Sequence, residues 1–311
     1  MGVAWPLFGH RAAEMSFHAA AVSGKLHHGW LIEGPSGIGK ARLAQRLSAY
    51  MLGARGPEDA PFDISHDDPV ARICLSGGHP DLRVVHRELN DKGKLRQDIS
   101  VEQIRELTHF FSLKPAQGGW RIGIIDALDE LNRNGANALL KTLEEPPEHS
   151  VLFLVNHGTM PILPTIRSRC RVLRLGRLSD EDVKAALDLA DAPREAVSLA
   201  KGRPGLGVRL STPSGLSAAN AARALLRSLP KPNDALVTDA MQSASQDETA
   251  LQAFLEEILA WLADRAETDA HAAKVWLETS RLSGQARELK MDAAQTASKL
   301  IAGLYGVART H

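Results

Sequence analysis

The chain has 311 residues, 44% of them hydrophobic and 5% aromatic, with 37 Lys and Arg balanced by 37 Asp and Glu. That apolar content is enough for ordinary cores in two or three domains, and it excludes a disordered or fibrous protein. Zero net charge argues against a protein that grips nucleic acid alone, because phosphate neutralisation supplies most of such affinity. Any work on DNA would then be that of a minor contributor within an assembly. The two cysteines, Cys74 and Cys170, can make neither a disulfide framework nor a four-cysteine zinc site, which points to a reducing cytoplasm. No run of eighteen apolar residues occurs, and the start MGVAWPLFGHRAAE lacks the layout of a signal peptide, so a soluble, non-exported chain is expected.

Short β-branched runs alternate with helical patterns over the first two thirds, the signature of a parallel sheet covered on both faces. Five strands are predicted: Trp30 to Ile32, Leu82 to Val85, Arg121 to Ile125, Val151 to Val155 and Arg171 to Leu175. Gly53 to Ala71 is polar, acidic and aperiodic, and reads as an insertion or mobile loop. Ser100 opens a capping box, SVEQ, followed by Val101, Ile104, Leu107 and Phe111 at helical spacing. A second amphipathic helix runs from near Asn134 to Glu145 and is stopped by Pro146-Pro147. Residues 177–210 read as a small helical unit, capped through Ser179 and Glu181. Residues 211–220 (STPSGLSAAN) read as a linker. Residues 221–311 then show only helical patterns and suggest a separate all-α domain.

The first predicted strand is followed by Gly34-Pro35-Ser36-Gly37-Ile38-Gly39-Lys40-Ala41 and a helical stretch. G-x4-G-K between a strand and a helix is the spacing of a phosphate loop: glycines let backbone N–H groups point at phosphates, and the lysine reaches the outer ones. A nucleotidase of this type needs a Ser or Thr hydroxyl after the lysine to hold Mg²⁺. That position is Ala41, whose methyl cannot coordinate a cation. The third strand ends in Asp126, but Ala127 follows where ATPases carry a water-orienting glutamate. Asp129 and Glu130, in the helix-like ALDELN, are expected to face elsewhere. Gly34, Gly37, Gly39, Lys40 and Asp126 are therefore either a relic that packs structurally or a weak nucleotide site.

Asn137-Ala138-Leu139-Leu140-Lys141-Thr142-Leu143-Glu144-Glu145-Pro146-Pro147, then a strand, then Thr165-Ile166-Arg167-Ser168-Arg169-Cys170, closely resembles the AAA+ subunits of bacterial clamp loaders, which belong to the DNA polymerase III holoenzyme. The resemblance covers about Phe8 to Leu210. Ala41, Ala127, the chain length and His79-Pro80-Asp81-Leu82 bring it nearer the delta-prime group than gamma/tau. The resemblance implies an AAA+ P-loop domain (1–176) with a five-stranded parallel sheet, a helical lid (177–210), the linker at 211–220, and a helical collar (221–311). It implies a non-hydrolysing stator that helps load the sliding clamp on primer-template DNA, with delta and gamma/tau subunits as partners and no membrane. The alternative is an ATP-hydrolysing motor of gamma/tau type.

By the same resemblance Arg169, in Ser168-Arg169-Cys170, is an arginine finger offered in trans to ATP on a gamma/tau neighbour, with Ser168 bracing the turn. Arg167 is then the structural arginine, with an exchange of roles between the two left open, and Asn156 falls at the sensor 1 position, where a strand-end hydrogen bond is an equal reading. No cofactor is required, weak ATP or ADP binding is the open alternative, and no zinc is expected, since the four-cysteine module of many relatives is reduced to Cys74. Gly205 stands near the expected sensor 2 arginine, with Arg203 and Arg209 nearby. The charged segment Glu88 to Gln97 reads as a solvated loop.

Overall fold

A computed structural model describes residues 3–89, 96, 98–117, 119–158, 162–194, 196–266, 268–288 and 293–307. The chain divides into two compact units, Met1–Ala186 and Leu187–His311.

In the first unit α1 (Arg11–Val22) precedes β1 (Gly29–Glu33), α2 (Lys40–Met51), α3 (Pro69–Leu75), β2 (Leu82–Val85), α4 (Val101–Ser112) and β3 (Arg121–Asp126). A 3-10 turn at Leu128–Glu130 leads into α5 (Arg133–Glu144), β4 (Ser150–Val155), α6 (Pro164–Arg167) and β5 (Arg171–Arg174); α7 (Asp180–Asp188) straddles the division between the units. The five strands form one all-parallel sheet in the order β2-β3-β4-β1-β5. β1, β3 and β4 are buried almost throughout, whereas β2 and β5 at the edges are each only partly buried. That difference explains why the three central strands are near-continuous apolar runs and the edge strands carry arginines.

Pleat alternation assigns the faces. Leu31, Ile125, Leu152 and Leu154 pack with Ile104, Leu107 and Phe111 of α4 and with Leu139 and Leu143 of α5. On the opposite face Phe17 of α1 sits 5.0 Å from the Trp30 ring and 5.5 Å from that of Phe153. The expected capping box forms on α4: Ser100 accepts from Gln103 N, and Gln103 Oε1 accepts from Ser100 N at 3.0 Å. The sheet register sets Glu33 opposite Arg174 and Asp126 opposite Val155. The carboxyl ends of the central strands, with the loops after them, thus open on one edge, where parallel sheets place their ligand sites.

The segment Gly53 to Ala71 departs from the loop expectation. Phe62 and Ile64 are fully buried, Ala4 N donates to the Ile64 carbonyl at 2.8 Å, and the Phe62 ring lies 4.7 Å from that of Tyr50. Two buried side chains anchor a polar stretch that has no period to betray them. Asp68 then caps α3 by accepting from Ala71 N at 2.9 Å.

The second unit holds α8 (Ala196–Ala200), α9 (Pro204–Leu210), α10 (Pro213–Ser228), α11 (Asp234–Ala244), α12 (Glu248–Ala266), α13 (Ala270–Glu288) and α14 (Ala293–Val307). Leu225, Phe254, Ile258, Leu262, Leu300 and Leu304 are central to its core. The linker expected at 211–220 is instead the start of α10, which continues across the expected boundary at 221. Thr212 caps it by accepting from Gly215 N at 3.1 Å, Pro213 stands in its first turn, and Ala218, Ala219 and Ala222 are buried. Small residues that look linker-like in sequence here allow close helix packing. On α7 Ser179 caps as expected, accepting from Asp182 N at 3.1 Å, but its reciprocal partner is Asp182 rather than Glu181. Residues 90–95 and 97 of the charged segment Glu88 to Gln97 lie outside the described residues.

Candidate functional site

The phosphate loop leaves β1 through Gly34 and enters α2 through Gly39, and its glycines take φ values that side chains resist: 151° at Gly34, 78° at Gly37 and 106° at Gly39. Two of them are also crowded. A Cβ on Gly34 would stand 2.5 Å from the Leu175 carbonyl oxygen, and one on Gly39 would stand 2.5 Å from Leu7 Cδ1. The loop is therefore built for glycine by conformation and by space.

Lys40 opens α2 with its side chain folded back into the loop. It is 3% exposed, and its Nζ donates to the carbonyls of Gly34 at 2.8 Å and Pro35 at 2.7 Å. Burial pushes the ammonium down to about 8, against the opposing pull of Asp129 and Asp126. Asp129 therefore lies on the loop side, contrary to expectation. The 3-10 turn after Ala127 aims it there, and its Oδ1 accepts from His157 N at 3.0 Å. Glu130 does face away, paired with Arg87 at 2.8 Å. Asp126 lies 3.1 Å from His157 Nε2, and Ala127 is completely buried. Asn156 accepts from Gly158 N through its Oδ1 at 3.0 Å, while its own N–H donates to Ile32.

These residues fit a divalent cation poorly. Ala41 offers no oxygen after the lysine, Asp129 already accepts from His157 N, and no group of three or more candidate metal ligands occurs among the described residues. For an anion the loop offers the N-terminus of α2 and Lys40, whose charge is at present absorbed by the loop's own carbonyls.

The arginine motif follows α6. Arg167 makes a two-pronged contact with Glu33 at the end of β1, its Nη2 lying 3.1 Å from Oε2 and its Nη1 engaging Oε1. It thus braces the motif against the strand that feeds the phosphate loop. Arg169 points to a different carboxylate. Its Nη2 lies 2.8 Å from Glu144 Oε1 at the end of α5, its Nη1 donates to the Thr165 carbonyl at 3.0 Å, and its side chain is 36% exposed. Ser168 Oγ donates to Thr165 O at 3.1 Å, tightening the turn from its own exposed position. Burial pushes the Cys170 thiol up to about 12 and that of Cys74 to about 11, so neither is poised as a nucleophile.

Sequence reasoning missed several polar anchors whose partners are remote in the chain. Asp81, 1% exposed, accepts from the backbone N–H groups of Ala116 and Gln117 at 2.7 and 3.1 Å. Arg46, equally buried, pairs with Glu14 at 2.7 Å and Asp63 at 2.6 Å. In the second unit Arg203 lies 3.2 Å from Glu256, which Arg209 also engages. The alternation of buried charge with apolar neighbours is the faint signal that could have marked Asp81 within HPDL.

A family model described as DNA polymerase III, delta subunit, matches residues 9–179, more than half of the 311 residues. The chain belongs to this family. Among individual relatives, DNA polymerase III subunit delta' of Pseudomonas aeruginosa is 36% identical over 143 residues, covering 46% of this chain and 41% of the relative. DNA polymerase III subunit tau of Escherichia coli is 30% identical over 189 residues, 58% of this chain and 28% of the relative. The chain thus matches less than half the length of either relative. A gamma subunit-related protein of Thermotoga maritima aligns at 15% identity and a TM-score of 0.43 over 94% of this chain and 98% of that structure, too distant to carry an argument. The matched span holds the five strands, the phosphate loop and the arginine motif of this delta-subunit family member. The sheet and its helices form the expected five-stranded parallel α/β fold with a glycine loop between β1 and α2, and no helix among the described residues is long and apolar enough to cross a membrane.

Proposed function

We propose that this chain is a delta-prime-type stator of a clamp loader: an AAA+ subunit that hydrolyses no ATP itself and presents Arg169 to nucleotide on a gamma/tau neighbour. The observation that carries the reading is Lys40, buried and donating to the carbonyls of its own loop, followed by Ala41 where a metal-binding hydroxyl belongs. An ammonium already donating to its own loop's carbonyls, with no hydroxyl beside it, gives γ-phosphate and cation little to hold. Arg169 supports the other half of the reading. It meets its carboxylate, Glu144, through one nitrogen at 2.8 Å, whereas Arg167 makes a two-pronged contact with Glu33. A guanidinium brought to a γ-phosphate in trans offsets charge that develops during transfer, an effect worth about 10³ to 10⁵ in rate. Delta and gamma/tau subunits are the partners in this reading, with the sliding clamp and primer-template DNA reached through them. The neutral charge of the chain suits surfaces directed mainly at protein.

The test is ATP turnover by the purified chain, alone and with primed DNA, beside the loader reconstituted with and without it. Background turnover by the chain alone and a fall in loader activity when it is omitted are the expected results. Turnover by the isolated chain at the level of an ordinary AAA+ motor would instead establish the gamma/tau-type reading, which the similarity to tau and the nearness of Asp129 to Lys40 favour.

A further inference from the structure

Two arginines two positions apart are held by two different carboxylates, and this separation distinguishes their work. Arg167 donates to Glu33 from both terminal nitrogens, Nη1 and Nη2. Arg169 forms an ion pair with Glu144, Nη2 lying 2.8 Å from Oε1, and donates one N–H of Nη1 to the Thr165 carbonyl at 3.0 Å. A guanidinium has five N–H donors in a rigid fork, so both arginines keep donors to spare, and what differs is the carboxylate that holds each one. The two elements that carry these partners are anchored in the core. Glu144 is the last residue of α5, whose Leu139 and Leu143 are buried against the sheet, and Thr165 lies in α6, locked by the buried Ile166.

We infer that Glu144 is a positioning residue for Arg169, holding the guanidinium in a presented orientation while leaving N–H donors for an acceptor from outside the chain. This inference rests on the reading of Arg169 as a finger in trans. A free arginine side chain must lose rotamer freedom when it docks on a phosphate. Glu144 and Thr165 impose that loss in advance, when the chain folds. Glu144 also sits on the motif helix rather than on the strand edge, so the ends of α5 and α6 set the angle of presentation together.

The test uses the clamp loader reconstituted with delta and gamma/tau subunits, measuring kcat and KM for ATP in the presence of primed DNA and clamp. Arg169→Ala should lower kcat strongly. Glu144→Ala should lower kcat about tenfold with KM unchanged, because misplacement of a catalytic group acts on the transition state. Glu144→Gln keeps an oxygen acceptor and should restore at least half of the lost rate. The double variant Glu144→Ala, Arg169→Ala should be no worse than Arg169→Ala alone, since a residue acting only through Arg169 has nothing left to act on. If Glu144→Ala weakens the fold, Glu144→Leu, which keeps the side-chain bulk, replaces it.

Loss of activity with Arg169→Ala but wild-type kcat with Glu144→Ala would overturn the inference and leave the stator reading standing. A double variant worse than Arg169→Ala, or a change confined to KM, would equally overturn it by making Glu144 a structural residue. Full activity with Arg169→Ala would remove the finger reading itself, and the inference with it.

Discussion

Lys40→Met isolates the energetic consequence of sealing an ammonium inside its own loop. The ordinary lysine value of 10.5 falls to about 8 in the folded chain because burial outweighs the attraction of Asp129 and Asp126. At about 1.4 kcal/mol per pH unit, that displacement corresponds to about 3 kcal/mol of destabilisation by the charged form. The sign follows from proton counts. Between about pH 8 and 10.5 the unfolded chain binds more proton at Lys40 than the folded chain does, so this group makes wild-type stability rise with pH in that window. Below about 8 the penalty is present in full. The Met variant carries no such penalty but leaves the Gly34 and Pro35 carbonyls without their donor, a loss that does not titrate. The stability difference between variant and wild type should therefore shift against the variant by about 3 kcal/mol from neutral to strongly alkaline pH. Urea unfolding of both proteins at about pH 7, 8.5 and 10 measures this, and the paired difference cancels the other titrating groups. A difference that stays constant with pH would refute the argument, because it would mean the ammonium keeps its ordinary affinity for protons in the folded chain.

Restoring one hydroxyl by Ala41→Thr, at a half-buried position, should raise Mg-ATP affinity about tenfold by calorimetry, the scale of one supporting group around a metal. No gain would mean that the hydrogen bonds of Lys40 keep the loop closed. Ala127→Glu is the wrong companion change, since Ala127 is fully buried and a carboxylate there would lack water. In the second unit Glu257 is 6% exposed; burial alone would raise its carboxyl, but Arg223 at 2.6 Å and Lys201 at 3.5 Å outweigh it and hold the value below the ordinary range. Arg223→Met strands that charge and should cost about 3 kcal/mol at neutral pH by denaturant unfolding. The loss should shrink on acidification through the carboxylate range, and a pH-independent loss would show that packing rather than charge had been removed.

Local pattern determined much of this protein. The five strands, the glycine phosphate loop, the capping box at Ser100 and the helix ending before Pro146 are read from spacings of two to four residues, and the structure places each where those spacings put it. Ala41 and Ala127 were equally legible, because a missing functional group needs no coordinates to be noticed. Tertiary structure alone decided which polar groups meet. Asp129 turns toward Lys40 through a 3-10 turn that a helical reading of ALDELN misaligns. Most of the stretch 211–220 is helix, capped by Thr212, and its Ala218 and Ala219 are buried in the helical core, a burial that the Gly and Ser around them do not announce. Arg167 and Arg169 are nearly interchangeable in sequence, and they part company only because α5 ends at Glu144 beside one while β1 ends at Glu33 beside the other. Hydrophobic period is a property of neighbours along the chain. Charge pairing joins groups more than a hundred residues apart, as Glu33 and Arg167 are, and such a pair exists only once the core has brought them together.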